Sequence, residues 1–282
     1  MLDLTRSVRF CINDGPAASG AANWGAADNT FAAYPSMRGL GRFYELRVRC
    51  RGKVSPATGY FLNIKEIDQA VRSAAIPAIE RACYERPHVD PAVVLDEILA
   101  PLNASLAGKL ASVRWELSPY YSVEMSPSTP TSSATEPRVL LRQQFEFAAS
   151  HRLHCAHLTD AENKALFGKC NHAGGHGHNY RVEPCVESPI GPAGSRFPLA
   201  ELERITARTV IERFDHKHLN ADNPEFDTAR GGVNPSVENI ARVCFDLLKP
   251  EIARACPEAK LRSVTVWETD KTWCTYPAGE EG

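Results

Sequence analysis

The chain has 282 residues, enough for about two domains at roughly 100–200 residues each. Hydrophobic content of 43% and charged content of 23% are those of an ordinary globular protein, and a formal charge of −2 supplies no basic field for nucleic acid. No apolar run approaches the ~20 residues that span a bilayer, so no membrane-spanning helix is expected.

The opening residues Met1 to Phe10 lack the apolar core of a secretion signal, and the nine cysteines are irregularly spaced. A cytoplasmic protein with reduced thiols is expected. In chain order, Tyr44, Leu46, Val48 and Cys50 alternate as a strand does. Asn63 with Glu66 predicts a capping box at a first helix, and Asp90 before Pro91 predicts the start of a second. Ser126 to Pro137 is rich in Ser, Thr and Pro and has no large apolar anchor, so it predicts a linker over 126–137 between domains 1–125 and 138–282.

In the second domain, Leu141, Gln143, Phe145 and Phe147 predict one face of a strand. Tyr180 to Val186 predicts another, with Pro184 at an edge or bulge. Leu199 to Phe214 and Pro235 to Leu248 have apolar residues at helical spacing. Leu261 to Glu268 and Trp273 to Tyr276 predict closing strands. The order favours an α+β fold with an antiparallel sheet, which the first domain repeats in shorter form.

Three pairs of segments occur in the same order in both halves. Gly39 to Tyr44 matches Gly175 to Tyr180 in spacing, Asp90-Pro91-Ala92-Val93 resembles Asn234-Pro235-Ser236-Val237, and Trp115-Glu116 resembles Trp267-Glu268. Together they predict an ancestral duplication.

Eight of the nine histidines lie between His151 and His218. His176 and His178 are two apart, so on a strand both imidazoles project from one face and can reach one ion. His151, directly after the Phe145 strand, is the best candidate for a third ligand. Three neutral imidazoles with an open fourth position describe a catalytic zinc site. A His-x-His pair on its own is equally a surface feature, and the surrounding residues decide the matter. Cys170 lies close before the pair, where a thiol near a cation can act as a thiolate base. Asp215-His216 sets a carboxylate beside an imidazole, which suits proton transfer and also suits an ordinary helix end. Glu268 ends a strand, where it can accept two hydrogen bonds from an amidine or serve as an edge charge.

These stretches resemble the 6-pyruvoyltetrahydropterin synthase and 6-carboxytetrahydropterin synthase family. The resemblance rests on Phe147 to Leu153, Phe167 to Cys170, His176 to Tyr180, Phe214 to Lys217, Glu238-Asn239 and Glu268 to Asp270. It covers nearly all of 139–277, whereas the first half is similar only in outline. The resemblance implies two tandem tunnelling-fold domains, each an antiparallel sheet with two helices on one face, assembled as a homo-oligomer (a trimer or ring). It implies His151, His176 and His178 as ligands of Zn2+, with Cys170 as general base. Asp215 and His216 would form a second acid–base group, and Glu268 and Ser236 would be substrate-binding residues. The implied substrate is a pterin triphosphate, 7,8-dihydroneopterin triphosphate, converted to 6-pyruvoyltetrahydropterin with elimination of triphosphate.

The five residues between Cys170 and His176 favour the pyruvoyl-forming branch over the carboxy-forming enzymes of deazapurine synthesis. Ser236-Val237 departs from the Thr-Thr often found at the ring-binding turn. In the first half, Leu40 and Arg42 stand where His176 and His178 stand, so that half is expected to hold no catalytic metal, while Glu116 keeps the anchor position. A non-catalytic pterin binder and a hydrolytic zinc enzyme are the competing readings.

Overall fold

The computed structural model describes residues 1–13, 37, 40–127 and 136–277. Most of the predicted linker, 128–135, and Gly39 of the first repeat lie outside the described residues. The fold is mixed α+β and divides into two compact units, Met1–Leu141 with Pro189–Arg196, and Arg142–Ser188 with Phe197–Gly282.

In the first unit, β1 (Leu2–Ile12) runs antiparallel to β2 (Arg42–Gly52), with Phe10 opposite Tyr44. A helical stretch follows, formed by α1 (Ile64–Ala70), a π turn (Val71–Ala75) and α2 (Ile76–Glu85); α3 (Pro91–Ser105) comes next. Asn63 caps α1 by accepting from the Lys65 N–H. The predicted box is one-sided, because Glu66 returns no side-chain bond among the described residues. Asp90 caps α3 with Pro91 at its first turn, as predicted. β3 (Leu110–Glu116) pairs with β2, and β4 (Tyr121–Met125) pairs with β3. Strand alternation puts Val8, Phe10, Leu46, Val48 and Val113 in the core. The opposite face carries ion pairs, among them Arg9–Glu45, Arg47–Glu116 and Arg114–Glu116.

The strand predicted through Leu141 and Phe147 is two strands, β5 (Arg138–Gln143) and β6 (Phe145–His151). The break is at Gln144, whose side-chain amide donates to Glu183 at 3.0 Å. α4 (Asp160–Phe167) opens on a complete capping box of Thr159 with Glu162 and runs into a 3-10 turn over Gly168–Asn171. β7 (His176–Gly191) is longer than predicted and is flanked by β6 on one side and by β10 on the other. Pro184 therefore does not mark an edge strand; it stands opposite Val264, beyond the last β6 pair at Val182, and the bulge of this region falls on the facing strand between Leu261 and Ser263. β8 (Gly194–Ser195) folds back on the end of β7.

The predicted helix over 199–214 is α5 (Leu199–Thr206), a π turn (Ala207–Ile211) and α6 (Glu212–Phe214) without a break. β9 (Lys217–His218) and α7 (Leu219–Asp222) follow. α8 (Val237–Ala255) starts later and ends later than predicted. Its cap is Ser236, which accepts from the Asn239 N–H; Pro235 precedes the cap and is not the first helical residue. The helix continues past Leu248 through Pro250, because Leu248 and Ile252 extend its buried stripe. β10 (Lys260–Thr269) and β11 (Thr272–Tyr276) complete the strands of the second unit, and α8 packs along both. Among the described residues no helix is long and apolar enough to cross a membrane.

Candidate functional site

Register assembles the site. Antiparallel pairing of β6 with β7 puts His151 directly opposite His176, and alternation puts His178 on the same face as His176. The three imidazole centroids are 4.5 to 5.2 Å apart. His151 is fully buried, and its Nε2 is 3.2 Å from His176 Nε2. Beneath them lies Tyr180, also fully buried, stacked on Phe147 at 5.0 Å and within 6.0 Å of the rings of His151 and His178.

Glu268 joins this group from the third strand. Alternation along β10 puts it on the same face as the buried Val264 and Val266, and the β10–β11 register shifts beside it between Trp267 and Thr269. Its Oε1 is 3.3 Å from His151 Nε2 and 3.6 Å from His178 Nε2. One ligand atom from each of His151, His176, His178 and Glu268 lies within 4.8 Å of all the others. The fourth corner, expected to be open, is thus faced by a carboxylate.

The residues fit a divalent ion. His151 Nδ1 is 2.7 Å from the Pro235 carbonyl, which fixes Nδ1–H as donor and leaves Nε2 as a lone pair aimed at the cluster. Burial pushes His151 down to about 4 and also lowers His178, against the carboxylate of Glu268, which raises it. Both rings are therefore neutral near pH 7, the state that ligates metal. His178 Nε2 is buried with no hydrogen-bond partner. Two nitrogens on a tetrahedral zinc at ~2.0–2.1 Å stand roughly 3.3 Å apart, which matches the His151–His176 spacing.

Asp215 and His216 form a clip on β6. The Ala148 N–H donates to Asp215 Oδ1 at 2.8 Å, and the His216 N–H donates to the Ala148 carbonyl at 2.6 Å. His216 has φ of 56°, a left-handed conformation that this clip holds. Asp215 Oδ2 then accepts from His216 Nδ1 at 2.8 Å. The Ala148 amide and then His216 hold the Asp215 carboxyl below its ordinary range. His216 borders a cleft of about 450 Å³ that His178 and His218 also line. His218 was not singled out from the sequence. Its Nδ1 is buried without a partner, and its ring packs against Gly175, which a side chain there would strike at 3.0 Å. Only the parallel pairing of β9 with β6 brings it here, and no motif announces that pairing.

Cys170 sits on the 3-10 turn, and its carbonyl accepts the Leu153 N–H two residues beyond His151. It is not part of the group of possible metal ligands. Ser236 adjoins the Pro235 carbonyl that orients His151, and its hydroxyl oxygen is taken up by the α8 cap. In the first unit, Glu116 stands opposite Glu45, and its carboxylate meets Arg47 and Arg114 on the ionic face. Trp115 is buried on the other face, so Trp115-Glu116 is one residue out of step with Trp267-Glu268, where the Glu faces the core side. Glu116 does not keep the anchor position.

Residues 140–279 match the family model described as 6-pyruvoyl tetrahydropterin synthase. The human 6-pyruvoyl tetrahydrobiopterin synthase is 38% identical over 135 residues, 48% of this chain and 88% of the relative. The Drosophila melanogaster protein of the same name is 36% identical over 142 residues, 50% of this chain and 80% of the relative. Among solved structures, the Caenorhabditis elegans 6-pyruvoyl tetrahydropterin synthase is 33% identical and is covered over 100% of its length by 52% of this chain, with a TM-score of 0.47.

Proposed function

We propose, because this chain belongs to the 6-pyruvoyl tetrahydropterin synthase family, that its 138–282 domain is a zinc-dependent lyase converting 7,8-dihydroneopterin triphosphate to 6-pyruvoyltetrahydropterin. The observation that carries this reading is the convergence of three imidazoles in one cluster around the buried His151. His151, His176 and His178 would hold Zn2+, which when bound supplies Lewis acidity to the hydroxyls of the substrate side chain. Glu268 would accept hydrogen bonds from the 2-amino group and N3 of the pterin. The Ser236 O–H remains available as a donor while its oxygen caps α8. Cys170, as thiolate, would remove a proton from the side chain, and His216, oriented by Asp215, would return one as triphosphate departs. Groups of this kind contribute roughly 10²–10⁴-fold each.

The five-residue gap between Cys170 and His176 and the printed names of the relatives both favour the pyruvoyl product over the carboxy product. The first half is proposed to be a degenerate copy of the same domain. Its support is the shared order of two strands, helices and two strands, and the matching pairs Phe10–Tyr44 and Phe147–Tyr180. The chain would act in the cytoplasm as a homo-oligomer, with the first half replacing a subunit.

The test is to incubate the purified full chain with 7,8-dihydroneopterin triphosphate, assay released triphosphate and weigh the product. The expected product is the pyruvoyl compound, with release abolished in Cys170→Ala while zinc is retained. A carboxy product would overturn the branch, and full activity in Cys170→Ala would overturn the assignment of the base.

A further inference from the structure

We infer that Glu268 has a second role, as the fourth ligand of the ion in the pterin-free protein, which pterin binding withdraws. This rests on the proposed reading that His151, His176 and His178 hold a divalent metal. The geometry points to it in two ways. The Glu268 Oε1 distances of 3.3 and 3.6 Å to two ring nitrogens are close to the ~3.3 Å edge of a tetrahedral zinc site, and carboxylate oxygen is an ordinary zinc ligand. Strand alternation puts this side chain of β10 on the face of the buried Val264 and Val266, where its carboxylate lies with the three imidazoles within one 4.8 Å group of possible ligand atoms.

The consequence is a site closed by its own substrate anchor. A carboxylate turned to accept the parallel pair of hydrogen bonds from a pterin amidine presents both oxygens to the ring, so the ring and the ion compete for Oε1. When a pterin ring takes the carboxylate, the fourth position is vacated for a side-chain oxygen. No bond of the substrate changes in this exchange, and no proton or electron is lost.

The test uses the full chain stripped of metal and reloaded with cobalt(II), together with chelator competition for zinc affinity. Glu268→Gln should weaken zinc binding by about tenfold or more, the low end of what even an outer-shell partner contributes. It should also alter the visible cobalt bands. In the wild type, 6-methylpterin, which has no side-chain hydroxyl to reach the ion, should shift the cobalt bands once its fluorescence shows it bound. It should not shift them in Glu268→Gln. Zinc affinity within about twofold and cobalt bands unmoved by bound 6-methylpterin would overturn the fourth-ligand role and leave the three-histidine site standing. Should the variant fail to fold, unmoved bands in the wild type alone would overturn it. A wild type that binds no cobalt would remove both this role and the metal reading beneath it.

Discussion

His151 ends β6 with no exposed surface, its Nδ1–H spent on the Pro235 carbonyl and its other nitrogen facing two imidazoles and a carboxylate. Burial lowers it to about 4 from an ordinary 6.5, so the unfolded chain binds the proton more readily than the folded one. The sign follows directly: the stability linked to this ring is complete above pH 6.5 and is lost as pH falls from 6.5 toward 4. The loss is at most about 3 kcal/mol. Urea unfolding of metal-free protein at pH 7 and pH 4.5 should show the drop, and His151→Asn should flatten it; an equal slope in the variant would place the effect elsewhere. At this scale the sequence was informative where the rule is local. His176 and His178 could be paired by spacing alone because strand alternation needs no partner strand. The position of Glu268 against the same nitrogens depends on the β7–β10 register, which has no short-range signature. The same lack of a local signal hid His218 and made Glu116 look like an anchor.

Elements were legible where an apolar stripe ran long and were misjudged at their ends. The helical stretch over 199–214 followed from its buried Leu202, Ile205, Val210 and Phe214. α8 outran its prediction because Pro250 reads as a stop, although a buried stripe on either side overrides it. The segment from Arg152 to Asn171 carries Cys170 and offers little periodicity, and side-chain amides hold it instead. Asn163, fully buried on α4, accepts the Cys155 N–H at 2.8 Å and donates to the carbonyls of Cys155, Leu158 and Thr159. Asn220 brackets the backbone of Arg152, accepting its N–H at 2.8 Å and donating to its carbonyl at 3.0 Å. Asn163→Ala takes the side-chain partner from the Cys155 N–H and the Leu158 carbonyl, while the Cys155 and Thr159 carbonyls keep backbone donors, which should cost about 1–3 kcal/mol. A urea midpoint lowered accordingly, with a slope unchanged from wild type, is the expected result. A change under about 0.5 kcal/mol would mean that water takes over the bonds.

Across the whole chain the two units share an order of elements and differ in the residues that could hold an ion. In the second unit His178 stands two residues before Tyr180, whose ring stacks on Phe147. In the first unit Arg42 stands two residues before Tyr44, whose ring lies 5.9 Å from Phe10. Arg42 donates to the Cys83 carbonyl at 2.8 Å and lies 5.5 Å from the centre of the Tyr84 ring, so a fixed cation stands two residues before Tyr44. A guanidinium offers no lone pair and repels a divalent ion. Leu40, two residues before Arg42, is fully exposed and no ligand type, and Glu116 is held by arginines on the ionic face. The chain should therefore bind about one zinc ion, with affinity set by the second unit alone. Metal analysis of the dialysed full chain should give about one equivalent, falling below roughly a tenth in His176→Ala with His178→Ala. Because those substitutions leave the first unit untouched, any metal retained by the double variant would be bound there. Two equivalents in the wild type with one surviving would therefore show that Arg42 does not keep metal out of the first unit.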